Sequence, residues 1–185
     1  MRKNFGAKPW LYPLPVLIVA TYNEDGSADA MNAAWGGLYD SDKVVLCLSH
    51  GHKTTKNIKE KGAFTVSFAD AENVVASDYV GMVSANSEAD KMKKSGFHTT
   101  KSDFVDAPLI DELPAALECE FIKVNEDGNI IGKIVNFSAD ERILGDDGNI
   151  DLSEFHPISF DPVHNGYHKL GDKVGNAFRD GNALK

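Results

Sequence analysis

The residues best suited to binding chemistry are concentrated between Ala30 and Ile58. Asn32–Gly37 (NAAWGG) places small residues around one amide and one indole, and His50–Asn57 (HGHKTTKN) gathers imidazoles, lysines, hydroxyls and an amide. Small residues let a flat ring approach the backbone, while lysines, hydroxyls and the free amides of a helix start attract an anion. The pattern favours a flat ligand with an anionic tail. The alternative is a strand, a loop and a helix capped by Thr54, with no ligand.

Length and composition limit the classes of protein that this chain can represent. Its 185 residues predict a single domain over 1–185, and 42% apolar with 25% charged residues is typical of a globular protein. A net charge of −9 argues against a nucleic-acid partner, because such binders present basic surfaces. The apolar run Leu14–Ala20 is too short to cross a bilayer. We therefore expect a cytoplasmic protein with no membrane partner, in which Cys47 and Cys119 are buried, reduced thiols.

Apolar alternation and turn residues predict mainly β structure around the 30–58 stretch. The predicted strands are Val16–Tyr22, Ser27–Trp35, Val44–Leu48, Ala63–Phe68, Ala116–Val124, Ile130–Phe137 and Ile158–Asp161. Hairpin turns are predicted at the Asp-Gly pairs of Asn23–Gly26 and Glu126–Asn129, with a third acidic turn at Asp146–Asn149. The predicted helices are Thr55–Lys61, ended by Gly62, one within Ala71–Ser84, and Asn86–Gly96 with Ser87 as its N-cap. Phe97–Leu113 is predicted to be irregular, and a Gly-rich tail runs from Asn165 to Gly181. This pattern predicts a small closed β-barrel with short helical insertions.

One acidic segment resembles part of a calcium-binding loop. Asp147–Phe155 (DGNIDLSEF) matches the second half of an EF-hand, but Ile143 and Gly145 then occupy positions that need oxygen ligands. We therefore interpret the segment as an acidic turn.

The histidine spacings do not predict a metal site. His50-x-His52 and His164-x-x-x-His168 lack a third ligand nearby, and Asn165-Gly166 disfavours the helix that the second pair would need. The chain also lacks GxSxG, GxGxxG and GxxxxGK[ST] motifs, so neither a serine nucleophile nor a usual nucleotide loop is predicted. If the chain is an enzyme, a bound cofactor is expected to supply the difficult chemical step.

The order and spacing of several segments resemble the flavin reductase-like family, in particular its flavoredoxin-type branch. The matching segments are Pro15-Val16 with Thr21, Ala30–Gly37, His52–Ile58, Gly62–Val66, Val80-Gly81 with Ser87, Asp90 and Lys91, Ala107–Ile110, Leu117–Glu120, Tyr167–Gly171 and Ala177–Gly181. The resemblance departs from the family pattern at three places. Asp40–Lys43 replaces the common Asp-Pro-Pro, His52-Lys53 stands where arginine is frequent, and Val80 replaces a common cysteine. Lysine lacks the fork of arginine, so a weaker hold on phosphate is expected.

The resemblance implies an FMN-binding split β-barrel that acts as a homodimer with the flavin near the subunit interface. Carried over position by position, Asn32, Ala33, Ala34 and Trp35 flank the flavin ring, and Ser49, Lys53, Thr54 and Thr55 hold the phosphate and ribityl chain. Lys91 comes near the phosphate or the ring edge. The remaining expected cofactor contacts are Met31, His50, His52, Asn57 and Tyr167.

The function implied is that of an NAD(P)H-dependent flavin reductase, which passes hydride through bound FMN to free flavin or another acceptor. No side chain is assigned a catalytic role, because the cofactor carries the chemistry. The alternative is a flavoredoxin-like electron carrier that receives electrons from a redox protein partner. A third possibility is a barrel that binds haem through His50, His52 or His164.

Overall fold

The runs of β-branched and aromatic residues in this chain form strands, as their strand propensity predicts. A computed structural model describes residues 1–185. The strands are β1 (Leu14–Pro15), β2 (Leu17–Tyr22), β3 (Ala28–Ala33), β4 (Gly36–Asp40), β5 (Lys43–Leu46), β6 (Ala63–Phe68), β7 (Thr99–Lys101), β8 (Pro108–Ile110), β9 (Ala115–Val124), β10 (Ile130–Ala139), β11 (Ile158–Asp161) and β12 (Gly166–Lys169). The helices are α1 (Lys53–Lys61), α2 (Val74–Met82) and α3 (Lys91–Ser95), with short 3₁₀ turns at Glu141–Ile143 and Asp180–Leu184.

The main sheet has seven antiparallel strands in the order β3-β2-β6-β9-β10-β5-β4. The register between β9 and β10 shifts at Ile131/Gly132 and again at Ile134/Asn136. Such bulges bend and twist a sheet, which helps this one curl into an incomplete barrel. A three-stranded sheet, β1-β11-β12, and the β7–β8 hairpin complete the β structure. The chain is therefore mainly β with short helical insertions, as the sequence predicts.

Strand β2 is buried on both faces, and this places the helices on opposite sides of it. Leu17 and Val19 belong to an apolar cluster that includes Ile58 of α1. Ile18 belongs to a second cluster that includes Val80 of α2. Because successive side chains of a strand point to opposite faces, β2 separates the two clusters. The neighbouring strand β3 contacts all three helices.

Several local predictions are confirmed. The Asn23–Gly26 and Glu126–Asn129 turns form, with Gly26 and Gly128 at φ +83° and +85°. Gly62 ends α1 at φ +73°, and its amide donates to the Ile58 carbonyl over 2.9 Å. A left-handed residue at this position is the usual end of a helix.

Other local predictions are wrong. Phe97–Leu113 was predicted to be irregular but contains the β7–β8 hairpin, whose three-residue strands are too short to show alternation. Ser87 is not an N-cap, because α3 begins at Lys91 and the Ser87 hydroxyl donates to the Ser84 carbonyl. Helix α1 begins at Lys53 rather than Thr55, so Thr54 lies inside it and His52 is the N-cap. Strand β3 ends at Ala33, two residues before the predicted end, and the edge strand β4 was not predicted. None of the helices is long and apolar enough to span a membrane.

Candidate ligand-binding site

A groove of about 450 Å³ lies where β3, α2, β11, β12 and the segment before α1 meet. This volume falls within the range of small-molecule sites. We call it the central groove, and its lining residues are Met31, Asn32, Ala33, Ala34, Trp35, Cys47, Leu48, Ser49, His52, Asp78, Gly81, Met82, Phe160 and Tyr167. Most of these residues are apolar, with a few polar groups interspersed. The groove therefore suits a partly apolar ligand that also forms hydrogen bonds.

One wall of the central groove is a tight contact between β3 and α2. The side-chain amide of Asn32 donates to the Ser77 carbonyl over 3.0 Å. A Cβ atom placed on Gly81 would lie only 2.8 Å from the Cβ of Asn32. The glycine at position 81 therefore lets α2 approach β3 more closely than a residue with a side chain would allow. This contact fixes the position of Asn32 at the edge of the groove.

Another part of the groove lining is aromatic. Phe160 lies between Trp35 and Tyr167, with ring centroids separated by 6.3 Å and 6.0 Å, distances typical of favourable aromatic pairs. Half of the Trp35 side chain is exposed at the rim. The Tyr167 hydroxyl donates to Asp78 over 2.7 Å. Burial, assisted by this hydrogen bond, raises the pKa of Tyr167 to about 12, so its hydroxyl remains a donor at neutral pH.

The groove leads to the beginning of α1. His52 lines the groove and is the N-cap of α1, but no side chain caps the helix and its first turn contains no acidic residue. The first amides of a helix have no partner within it, and together with the helix dipole they favour an anion. The Thr55 hydroxyl donates to the Ser49 carbonyl over 2.9 Å and ties the helix to the preceding loop.

A second, more polar cavity of about 550 Å³ lies beside the start of α1. We call it the lysine cavity, and its lining residues are Asn23, Glu24, Asp25, Ser27, Ala28, Asp29, Lys53, Ala85, Ala89, Lys91 and Met92. The buried Lys91 ammonium lies 3.6 Å from the buried Asp29 carboxylate, whose other oxygen accepts a 2.6 Å hydrogen bond from Thr54. Burial lowers the pKa of Lys91, and the charge of Asp29 acts in the opposite direction.

The structure distributes the predicted contact residues over four locations. The central groove contains eight of them, namely Met31, Asn32, Ala33, Ala34, Trp35, Ser49, His52 and Tyr167. The lysine cavity contains Lys53 and Lys91. Three residues lie on the buried face of α1, namely Thr54, Thr55 and Asn57, and their side chains bond Asp29, Ser49 and Asn23, respectively. His50 lies near Gly128 and lines neither cavity. The roles of these residues in binding stay predictions.

Six residues of the central groove were not predicted: Cys47, Leu48, Asp78, Gly81, Met82 and Phe160. Three belong to α2, whose sequence carries no amphipathic signal that would orient its faces. Cys47 was expected to be buried, but its thiol is exposed, whereas Cys119 is buried as predicted. The Cys47 thiol is exposed because β5 ends at Leu46, so Cys47 lies just beyond the strand that was expected to bury it.

The chain contains no cluster of three or more His, Cys, Asp or Glu side chains arranged to hold a metal ion. In the segment that resembles a calcium loop, Asp147 and Asp151 instead accept hydrogen bonds from the amides of Asn149 and Ser153. These bonds form the acidic turns that the sequence predicts.

Comparison with known proteins connects this architecture to flavoproteins. The family model described as "Flavin reductase like domain" matches residues 10–162. The structure of flavoredoxin of Desulfovibrio vulgaris (Miyazaki F) is similar with a TM-score of 0.94 and 35% identity, over 98% of this chain and 100% of that one. Flavoredoxin from Methanosarcina acetivorans is similar with a TM-score of 0.89 and 25% identity, over the full length of both chains.

Two further comparisons show weaker similarity. The FMN-binding domain of a flavin reductases-like enzyme from Shewanella baltica shares the fold, with a TM-score of 0.77 at 19% identity over 88% of each chain. An uncharacterized protein of Aeropyrum pernix is 28% identical over 121 residues, which are 64% of this chain. This chain spans only 46% of that protein. The split-barrel architecture predicted from the sequence is confirmed.

Proposed function

Because this chain belongs to the flavin reductase-like domain family, we propose that it binds FMN and functions as an NAD(P)H-dependent oxidoreductase. The flavin ring would occupy the central groove, and the phosphate would lie at the start of α1, toward the lysine cavity. The observation that carries this proposal is the continuity of the groove with an uncapped helix start, since His52 belongs to both. A flat ring with a phosphate tail needs an apolar groove that ends at an anion site.

The donor groups of the groove fit the edge of a flavin ring. Ala33 and Ala34 leave the backbone accessible, and Tyr167, whose hydroxyl proton is donated to Asp78, lines the same groove. Trp35 and Phe160 supply apolar surface for the ring. When bound, FMN supplies the hydride chemistry. The protein residues would then fix its orientation and exclude water from one of its faces.

The phosphate end would be held by the amides of the first turn of α1 and by Lys53 and Lys91. A phosphate monoester carries about −1.5 to −2 charges at neutral pH, which complements two lysines and a positive helix end. The chain as a whole carries −9. Lys53 and Lys91 would therefore supply local positive charge in a chain whose net charge disfavours phosphate elsewhere.

A second function is favoured by the similarity to two flavoredoxins along the full length of the chain. On this proposal the protein holds FMN as an electron carrier and receives electrons from a redox protein. The two functions share the same flavin site and differ in the electron donor. NAD(P)H would reduce the bound flavin of the enzyme directly, but would not reduce the flavin of the carrier.

Homodimer formation is part of the same proposal. Trp35 at the rim of the central groove and Leu38 and Tyr39 on the edge strand β4 are exposed apolar side chains. Edge strands and apolar surface are places where a second copy pairs. Sedimentation velocity is expected to give a dimer, and the substitution Leu38→Lys is expected to weaken it.

The first test is the visible absorption spectrum of the purified protein before and after FMN is added. A shifted, structured flavin band is expected, and added FMN with an unperturbed spectrum would contradict the proposal. Stopped-flow mixing of the FMN-loaded protein with NADH and with NADPH then separates the functions. Rapid bleaching of the flavin band supports the reductase, and a stable oxidised band supports the carrier.

A substitution at Lys53 tests the position of the phosphate. Lys53→Met is expected to weaken FMN binding by about tenfold, because one charge beside a phosphate is lost, with little effect on riboflavin. Lys59→Met on the exposed side of the same helix is the matched control. Equal affinities of both variants for FMN would place the phosphate elsewhere.

A further inference from the structure

Two buried charged side chains meet at the wall of the lysine cavity. Asp29 on β3 is 1% exposed and Lys91 at the start of α3 is 3% exposed. Their Oδ1 and Nζ atoms are 3.6 Å apart, beyond hydrogen-bonding distance, and Asp29 Oδ1 has no hydrogen-bond partner. The Lys91 ammonium, which carries three donors, is therefore incompletely satisfied by the protein. Because Lys91 also lines the lysine cavity, an anion in that cavity would supply an acceptor for the donors that the protein leaves free.

Asp29 also contacts the helix that begins between the two cavities. Its Oδ2 atom accepts the hydroxyl proton of Thr54, the second residue of α1, over 2.6 Å. One carboxylate thus connects the first turn of α1 to the first residue of α3. Both elements border the lysine cavity through Lys53 and Lys91.

The charges around the lysine cavity largely oppose the binding of an anion. Lys53 and Lys91 contribute two positive charges, and Glu24, Asp25 and Asp29 contribute three negative charges. Glu24 and Asp25 are exposed to water, which screens them. Asp29 is buried beside Lys91, where a charge acts much more strongly. Asp29 is consequently the residue that most reduces the attraction of this cavity for a phosphate.

We propose that Asp29 is a positioning residue that orients Lys91 and the start of α1 and lowers the affinity of the lysine cavity for a phosphate group. This inference rests on the proposed function, in which the FMN phosphate approaches that cavity. Asp29 compensates the Lys91 charge in the unliganded protein and competes with the phosphate for it in the liganded one. The expected consequence is an FMN that exchanges with free flavin instead of remaining permanently bound.

The test is the substitution Asp29→Asn, which keeps the size of the side chain and an oxygen for Thr54 but removes the charge. The probes are inorganic phosphate, FMN and riboflavin, titrated by calorimetry at two ionic strengths. Phosphate and FMN are expected to bind about tenfold more tightly or better, because a buried charge beside the anion is removed. Riboflavin, which has no phosphate, is expected to stay within about threefold of the wild type, since a screened or distant charge has little effect. Glu24→Gln at the exposed rim is the matched control, with an expected change below about threefold.

A folded Asp29→Asn variant with unchanged or weaker phosphate binding would overturn the inference, and so would an equal gain for FMN and riboflavin. If this variant does not fold, Lys91→Gln is measured instead. About tenfold weaker phosphate binding with unaltered riboflavin binding then supports the inference, because Asp29 is left unopposed. Phosphate binding equal to the wild type contradicts it. Inorganic phosphate separates this result from the proposed function: a tighter phosphate site in a chain that binds no flavin contradicts only the flavin proposal.

Discussion

The contact between α2 and β3 provides a quantitative test of the central groove. Gly81 lies near the end of α2, and a Cβ atom added there would meet the Cβ and Cγ atoms of Asn32 at 2.8 Å and 3.6 Å. The substitution Gly81→Ala therefore presses directly on a residue that lines the groove.

The magnitude follows from the geometry of this contact. Two carbon atoms are at their best separation at about 3.5–4.0 Å, so the helix or the strand must move by about 0.7 Å. Asn32 is held by its pairing with Ile18 of β2 and by its hydrogen bond to Ser77. Overpacking of this kind costs about 1–3 kcal/mol, and the better helix propensity of alanine offsets about 1 kcal/mol. We expect a net loss of about 1 kcal/mol, or a Tm lower by about 2–4 °C for a protein of this size.

The assay is thermal unfolding combined with FMN titration. Val75→Ala on the same helix is the matched control, because the Val75 side chain is 81% exposed and its loss improves helix propensity without a new contact. The control is expected to match or slightly exceed the wild type in Tm and to keep its FMN affinity. Gly81→Ala is expected to lower both. A Gly81→Ala variant with a higher Tm and unchanged FMN affinity would refute the close contact between α2 and β3.

Two further predictions concern groups outside this contact. Cys47 is exposed in the central groove, whereas burial raises the pKa of Cys119 to about 12. Iodoacetamide at pH 8 is therefore expected to modify only Cys47, and bound FMN is expected to slow this reaction. Equal reaction rates with and without FMN would exclude the flavin ring from the part of the groove near Cys47. Hydrogen bonds from Tyr12 and then His164 hold the pKa of Asp161 well below its usual range. The stability that Asp161 contributes is therefore present above about pH 4 and lost as the pH falls below it. Tm measured from pH 6 to pH 2 is expected to fall less steeply in Asp161→Asn than in the wild type, and parallel curves would contradict this role.

The sequence predicts the strands of the sheet better than the site that they build. Runs such as Ala63–Phe68 alternate or are rich in strand formers, and glycines such as Gly26 mark the turns between them, so local chemistry is sufficient to place them. Which faces meet is decided by contacts distant in the chain. Asp78 and Gly81 enter the central groove because α2 packs against β3, and Phe160 enters it from β11 of the other sheet. No spacing within the sequence encodes these contacts.

In the segment His50–Asn57, the sequence predicts ligand contacts for several polar residues that instead form hydrogen bonds within the protein. Its hydroxyls and amide suggested contacts to a ligand, but the helical period of α1 turns Thr54, Thr55 and Asn57 inward. The residues of this segment that border a cavity are His52 and Lys53, at the start of the helix. A hydroxyl that binds a ligand and one that orients a helix have the same sequence signature, since both are polar residues near a helix start.

The polar inner face of α1 has a structural consequence for ligand binding. An apolar face packs with some freedom to slide, but hydrogen bonds depend on direction and so fix the rotation and depth of a helix. Thr54 bonds Asp29 and Thr55 bonds Ser49, which sets the helix start between the central groove and the lysine cavity. The free amides of the first turn are thereby positioned before any ligand arrives, and a preorganised site binds with less entropic cost. The substitution Thr54→Val removes the hydrogen bond to Asp29 but keeps the side-chain volume. It is therefore expected to weaken the binding of FMN more than the binding of riboflavin, although the Thr54 hydroxyl bonds Asp29 and not the ligand. Equal affinities of this variant and the wild type for FMN would show that the amides are positioned without that bond.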